Sequence, residues 1–432
     1  MNRTRSILAL LGLMVWLPAI LWAGILESRL TSIPAIKRVD TLETTRFAEK
    51  YVVRFQHPVD YANPSAGTFE QRVIIGHKGF DRPTVLVTEG YGAAYALNKD
   101  FTEELCEILN ANLVFVEYRY FLESTPAPCN WEHLTVWNSL NDLHEVRTAF
   151  SNVYERKWLA TGVSKGGMTS LFYRAYFPND VDVTVPYVAP LNAAVEDGRH
   201  EPFISNTAGT AEQRKCIEAY QLELLKRKGR LMPLFEQFCN EKGYQFNAPL
   251  DEIYDFCVLE LAFSLWQWGT PVHKLASSQS DDETLFKNFI QLCGPEYFQP
   301  KTGNLSFFVQ AARELGYYGY DMRPFRNYMS IRTTKDYLRR LMLPADMPRY
   351  KFSKKLYKHT RKFLKKNDPK IMFIYGENDP WSASGVITWL DFSHKREMCA
   401  FVDPVGSHIS RINTLPPSLR DAAIARLLRW ME

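Results

Sequence analysis

The sequence predicts an α/β fold: a mostly parallel sheet with flanking helices, interrupted by a largely helical insertion. Three observations carry this expectation. Runs such as "NLVFVEYRY" and "KWLATGV" are almost continuously apolar, as strands buried on both faces are. Helix-patterned segments lie between successive runs, which is what parallel strands need for their crossovers. From about residue 196 to 368 helical patterns dominate, and then two further strand runs appear.

In chain order, Arg3 and Arg5 precede an apolar run from Ile7 to Ala23, the pattern of a secretory signal, with Ala23 and Gly24 as small residues for cleavage. An uncleaved anchor is the alternative, because the run is near the shortest that spans a bilayer. Either reading places the body of the protein outside the cytoplasm. From about residue 48 come the strand runs "KYVVRFQHP", "FEQRVIIGHK" and "PTVLVTEG", separated by turn-forming clusters. A helix over about 97–111 leads to "NLVFVEYRY"; a second, "TVWNSLNDLHEVRTAFSNVY", leads to "KWLATGV". The next helix, "KGGMTSLFYRAYF", ends at Pro178 and is followed by the strand "VDVTVPYVAP". The insertion holds "AEQRKCIEAYQLELLKRKGRL" and "LDEIYDFCVLELAFSLWQWG". Strands return in "PKIMFIYG" and "EMCAFVD", before a last amphipathic helix, "PSLRDAAIARLLRWM".

Composition narrows the function classes. At 432 residues, 46% of them hydrophobic, the chain can bury a large core and is not a disordered protein. Its 52 basic and 48 acidic residues nearly balance, which argues against a nucleic-acid partner. One local exception, "RYKFSKKLYKHTRKFLKKNDPK", has the spacing of an amphipathic helix with a solvated basic face. Seven cysteines form no C-x-x-C pair, so a structural zinc site has no support. In an exported chain Cys216 and Cys239 have the option of pairing; buried free thiols fit equally well.

The residues that point to chemistry begin at Gly162-Val163-Ser164-Lys165-Gly166, a G-x-S-x-G between a strand and a helix. Glycines on both sides permit the tight turn that exposes a serine nucleophile, and the helix N-terminus presents free N–H groups to a developing oxyanion. A serine hydroxyl needs a base and a carboxylate, which in the α/β-hydrolase order follow as acid and then histidine. Asp379 lies in "ENDPWSASG" just past the strand "IMFIYG", with Glu377 as a rival carboxylate; His408 lies in "PVGSHISRI" just past "EMCAFVD". Both positions belong to the catalytic edge of such a sheet. The expected oxyanion donors are the N–H of Lys165 and one from the loop "TEGYGAAY", assigned to Tyr91.

The blocks "VTEGYG", "VEYRYFLESTP", "NWEHLTVWNSLNDLH", "KWLATGVSKGGMTSLFYRAYFPNDVDVTVPYVAP", "YGENDPWSASG" and "GSHISRI" resemble the S37 family of serine peptidases, the PS-10 group of secreted prolyl and tripeptidyl aminopeptidases. The resemblance runs from about residue 45 to the C-terminus, with Asn138 standing where glutamine is expected. It implies an α/β-hydrolase core under a helical cap, nucleophile Ser164, acid Asp379, base His408, and no metal or organic cofactor. The implied division is a signal or anchor over 1–24, a catalytic domain over 45–195 and 369–432, and a cap over 196–368. An aminopeptidase must hold a protonated N-terminus, for which Glu89 and Glu117, at strand ends near Ser164, are the expected carboxylates. Trp381, with Trp266 and Trp268 of the cap, would line a pocket for proline, unless these rings are simply core. The partners expected are peptides with a free N-terminus. The rival readings are an esterase using the same triad and, further off, a non-catalytic surface binding protein on this fold.

Overall fold

The computed structural model describes residues 24–432, so the expected signal or anchor falls, apart from Gly24, outside the described residues. Nine strands form one sheet: β1 (Ile36–Leu42), β2 (Glu49–Pro58), β3 (Thr68–His77), β4 (Thr84–Thr88), β5 (Asn112–Val116), β6 (Trp158–Val163), β7 (Val183–Tyr187), β8 (Met372–Gly376) and β9 (Cys399–Asp403). Their order is β1-β2-β3-β5-β4-β6-β7-β8-β9. The pairings from β1 to β5 through β2 and β3 are antiparallel, and those from β5 to β9 are parallel. The carboxyl ends of β4 to β9 therefore open on one edge, as an α/β-hydrolase core requires.

Alternation along the strands builds three layers. Val73, Ile75, Leu86, Val114 and Ala160 face α1 (Ile25–Thr31), α3 (Val136–Ala149) and α4 (Lys165–Tyr176). Their neighbours Ile74, Val85, Val87, Leu113 and Leu159 face α2 (Glu104–Leu109) and α12 (Pro417–Met431). With both faces covered, the central strands read as unbroken apolar runs.

The chain between β7 and β8 contains helices and no strand of the sheet: α5 (His200–Asn206), α6 (Ala211–Lys226), α7 (Lys228–Lys242), α8 (Leu250–Trp268), α9 (Asp282–Leu292), α10 (Leu305–Gln310) and α11 (Lys355–Lys366), joined by short turns and two longer irregular stretches over about 316–337 and 343–354. Its apolar core includes Tyr118, Phe121 and Trp381 from the loops after β5 and β8, so it packs directly on the edge where those loops lie. The basic helix α11 buries Leu356, Thr360 and Leu364, and His359 Nε2–H donates to the Ala175 carbonyl at 3.1 Å, leaving the lysines in solvent.

Two expectations change. The core begins before residue 45: β1 pairs with β2, and Leu26 and Leu30 of α1 are fully buried beside Val53 and Phe55. As an edge strand β1 buries only Ile36 fully, so it carries no alternation to find. Cys216 and Cys239 do not pair, since one is exposed on α6 and the other buried on α7, and all seven cysteines are free thiols. Leu30→Ala is expected to lower the unfolding free energy by about 2–4 kcal/mol. Arg38→Ala, on the exposed side of β1, should stay within about 0.5 kcal/mol, and urea unfolding followed by tryptophan fluorescence reads both.

Candidate active site

Ser164 occupies the turn between β6 and α4 with φ 56° and ψ −117°, a conformation that side-chain-bearing residues avoid. The turn closes because its flanks are bare. A Cβ on Gly162 would collide with the Gly166 carbonyl, and one on Gly166 would stand 2.8 Å from Thr88 O. Hydrogen bonds hold what the packing permits: Ser164 N–H donates to Tyr187 O at 3.0 Å, and the Thr88 hydroxyl reaches Thr161 O at 3.1 Å and Gly166 O at 3.0 Å. Lys165 is the first residue of α4, so its N–H has no intrahelical acceptor.

Asp379 and His408 come together from neighbouring strand ends. His408 Nδ1–H donates to Asp379 Oδ2 at 2.7 Å, and Oδ1 of the same carboxylate accepts Trp381 N–H at 3.0 Å. Asp379 is fully buried, while the rival Glu377 is exposed. The helical segment braces both loops. Gln267 of α8 accepts His408 N–H on its carbonyl at 2.9 Å and Trp381 Nε1–H on its side chain at 3.1 Å. Gly209 N–H donates to Asn378 Oδ1 at 2.8 Å, and His200 Nδ1–H to the Pro380 carbonyl at 3.0 Å. Burial pushes the His200 imidazole down to about 4, so it stays neutral.

Ser164 and His408 line one cavity of about 910 Å³, together with Glu89, Tyr91, Lys165 and Trp381. Its cap wall includes Glu260, Ser264, Gln267 and Trp268, which recur along one side of α8. Trp266 turns away into the apolar core of the helical segment, against Gly209.

Two expected roles do not survive the geometry. Tyr91 N–H is already engaged, donating to Glu89 Oε1 at 3.2 Å; its side chain instead lines the cavity with Ser164. Glu117 has no exposure and faces away from the cavity: its carboxylate takes Arg72 Nη1–H at 2.9 Å, the Ser124 hydroxyl at 2.8 Å and Ala93 N–H at 2.7 Å. The neighbouring Arg119 pairs instead with Asp142, through Nε at 2.7 Å.

The Lys165 side chain is buried. Its ammonium donates to Gly90 O at 2.6 Å and lies 3.1 Å from the centroid of the Tyr118 ring. Burial drives its pKa well down, against the opposing pull of Glu89. Glu89 is raised by its own burial, while the Tyr95 phenol at 2.8 Å and the Tyr91 N–H favour its charged form. Sequence reading missed Gln267 and Glu260. The available signal was polar residues at helical spacing inside the otherwise apolar run "FCVLELAFSLWQW".

The sequence model of the PS-10 peptidase S37 family matches residues 22–432. The chain is 31% identical to a prolyl tri/tetrapeptidyl aminopeptidase of Streptomyces mobaraensis, over 94% of this chain and 84% of that protein. It is 25% identical to a probable serine protease of Arabidopsis thaliana, over 44% of this chain and 41% of that one. Among solved structures, proline iminopeptidase of Mycobacterium smegmatis aligns with a TM-score of 0.40 at 13% identity, covering 91% of this chain and 99% of that one. With the family match running through the strand ends that carry Ser164, Asp379 and His408, the chain belongs to the PS-10 peptidase S37 family.

Proposed function

We propose that this protein is a serine aminopeptidase that releases short N-terminal peptides, with a preference for proline at the cleaved bond, through an acyl-enzyme on Ser164. The observation that carries the reading is the convergence on one cavity of a strained serine turn and a histidine locked at 2.7 Å to a buried aspartate. The relative from Streptomyces mobaraensis, named a prolyl tri/tetrapeptidyl aminopeptidase, supports the substrate class.

In this mechanism the Asp379 carboxylate holds the His408 Nδ1–H tautomer, leaving Nε2 free to take the Ser164 proton as Oγ attacks the scissile carbonyl. Negative charge on the carbonyl oxygen meets the Lys165 N–H at the start of α4 and the phenol of Tyr91, which lines the same cavity as the serine. The imidazolium protonates the leaving amine, and water then repeats the cycle on the acyl-enzyme. Trp381, whose ring centroid lies 6.2 Å from that of His408, offers an apolar face to the residue beside the cleaved bond. Peptides with a free N-terminus are the proposed substrates. The basic, then apolar N-terminal run supports delivery outside the cytoplasm.

A fluorogenic Ala-Ala-Pro amide with a free N-terminus is expected to be cleaved, and its acetylated form about 100-fold more slowly or worse. Cleavage of simple acyl esters without cleavage of either peptide would replace this reading by an esterase. Ser164→Ala should lower kcat by roughly 10⁵-fold or more, and Asp379→Asn by about 10⁴-fold. Only chains that keep Ser164 should react with a fluorophosphonate probe, read by mass spectrometry. Tyr91→Phe is expected to lower kcat by about 10²-fold with little change in KM, the signature of a donor used in the transition state.

A further inference from the structure

Five glutamates line the cavity: Glu89, Glu103, Glu104, Glu260 and Glu296. Three of them are engaged elsewhere, and a fourth is exposed. Glu89 takes Tyr91 N–H and the Tyr95 phenol, with the Lys165 charge nearby. Glu103 caps α2 by accepting Leu105 N–H at 2.5 Å. Glu104 accepts the Tyr187 phenol and the N–H groups of Ile412 and Asn413. Glu296 is exposed at the rim.

Glu260 differs from these in kind. Only 5% of it is exposed, and its carboxylate meets just two phenols, Tyr318 at 2.9 and 3.0 Å and Tyr320 at 2.5 Å. Among the described residues no lysine, arginine or histidine forms an ion pair with it. Burial without a cation pushes its carboxyl up to about 8, against the two phenols that lower it. Aromatic faces surround it. Tyr318 stacks on Phe263 at 3.6 Å between centroids and packs against Trp381 at 5.2 Å, and Tyr297 bonds the Tyr318 hydroxyl at 2.7 Å. A buried carboxylate with spare lone pairs, walled by aromatic rings and open to a cavity, is suited to a small organic cation.

We infer that Glu260 is the anchor for the protonated α-amine of the peptide substrate, and that its separation from Ser164 sets how many residues leave per cleavage. The inference rests on the aminopeptidase reading and adds the group that makes it an exopeptidase. From the His408 ring the path to Glu260 crosses two ring contacts, 6.2 Å to Trp381 and 5.2 Å from Trp381 to Tyr318. An extended peptide covers about 3.3–3.6 Å per residue, so roughly 10 Å for three. Glu260 and Ser164 line the same cavity, so a short peptide whose last carbonyl lies at Ser164 would present its N-terminus to α8. Trp381 then flanks the chain on the side of the cleaved bond, near His408.

The test compares wild type and Glu260→Gln on free Ala-Ala-Pro amide, its acetylated form, and 4-nitrophenyl butyrate. Loss of the anchor is expected to lower kcat/KM for the free peptide by about 100-fold, with KM raised, while the acetylated peptide and the ester change by no more than about threefold. The preference for a free N-terminus collapses accordingly. If Glu260→Gln keeps that preference, the inference is overturned, and its loss in Glu89→Gln instead would move the anchor to Glu89. A wild type that does not distinguish free from acetylated peptide overturns the aminopeptidase reading itself, whatever the variant does. Ester turnover reports folding. Should the glutamine variant not fold, Glu260→Asp keeps the charge and draws it back by one methylene; it should lower free-peptide turnover about tenfold and spare the ester, and an unchanged free-peptide rate overturns the inference.

Discussion

Everything at the site depends on a close approach of backbone to backbone beneath Ser164. The serine sits at a positive φ because β6 must turn into α4 within one residue, and that turn exists only where Gly162 and Gly166 leave room for each other and for Thr88. Strain of this sort persists when the surroundings over-determine it. Here Tyr187 O holds the Ser164 N–H, and the Thr88 hydroxyl ties the strand before the turn to the helix after it. Gly90 closes the arrangement from the next strand end, since any side chain there would stand 2.7 Å from Lys165 Cβ. The nucleophile turn and the loop after β4 are thus one packed unit. A change in either displaces the donors that an oxyanion would need.

The second half of the site is held from above. Asp379 and His408 lie on loops, which in isolation are mobile, and hydrogen bonds from the helical segment fix them. Gln267 is the central brace, binding the His408 backbone with its carbonyl and the Trp381 indole with its side chain. Gly209 and His200 brace the Asp379 loop through Asn378 and Pro380. The segment between β7 and β8 therefore orients the base and the acid as well as roofing the cavity. A cap that merely covered the site could swing open without cost to the Asp379–His408 pair, whereas this one would release the four hydrogen bonds that hold their loops.

What was legible in the sequence follows from this geometry. Central strands covered on both faces appear as apolar runs, and the positions of Ser164, Asp379 and His408 just past such runs could be read because turn chemistry and strand ends are local. The rest is set by partners far along the chain. Glu89 and Glu117 both end strands, and only the fold shows that Arg72 and Ser124 claim one while the other faces the cavity. Tyr91 was legible as a residue of the loop, but that Glu89 takes its N–H and leaves its side chain to line the cavity is set by the fold. Edge strand β1 and the two-turn helix before it lack a period long enough to read. Glu260 was hidden for another reason: in a helix apolar on nearly every side, a single acidic residue reads as noise until Tyr318 and Tyr320 are seen converging on it from a loop some 60 residues away.

Lys165 draws these threads together. A lysine directly after the nucleophile is costly to bury, and burial alone would drive it neutral. It is kept in place by the Gly90 carbonyl and the face of Tyr118, with Phe121 and Tyr91 at 5.3 and 5.7 Å from its ammonium. Each of these partners belongs to the loops after β4 and β5, so the side chain fastens the start of α4 to both of them. Glu89, raised by its own burial, is held toward its charged form by the same ammonium. The interaction is mutual: each group lessens the penalty of keeping the other charged in a dry cavity wall. With Glu89 satisfied in this way and Glu117 closed off by Arg72, Glu260 stands apart among the cavity's glutamates, because phenols alone, and no backbone N–H or cation, meet its carboxylate. In the proposed reading, a peptide that enters ammonium first finds there an anionic acceptor on α8, in the same cavity as the nucleophile.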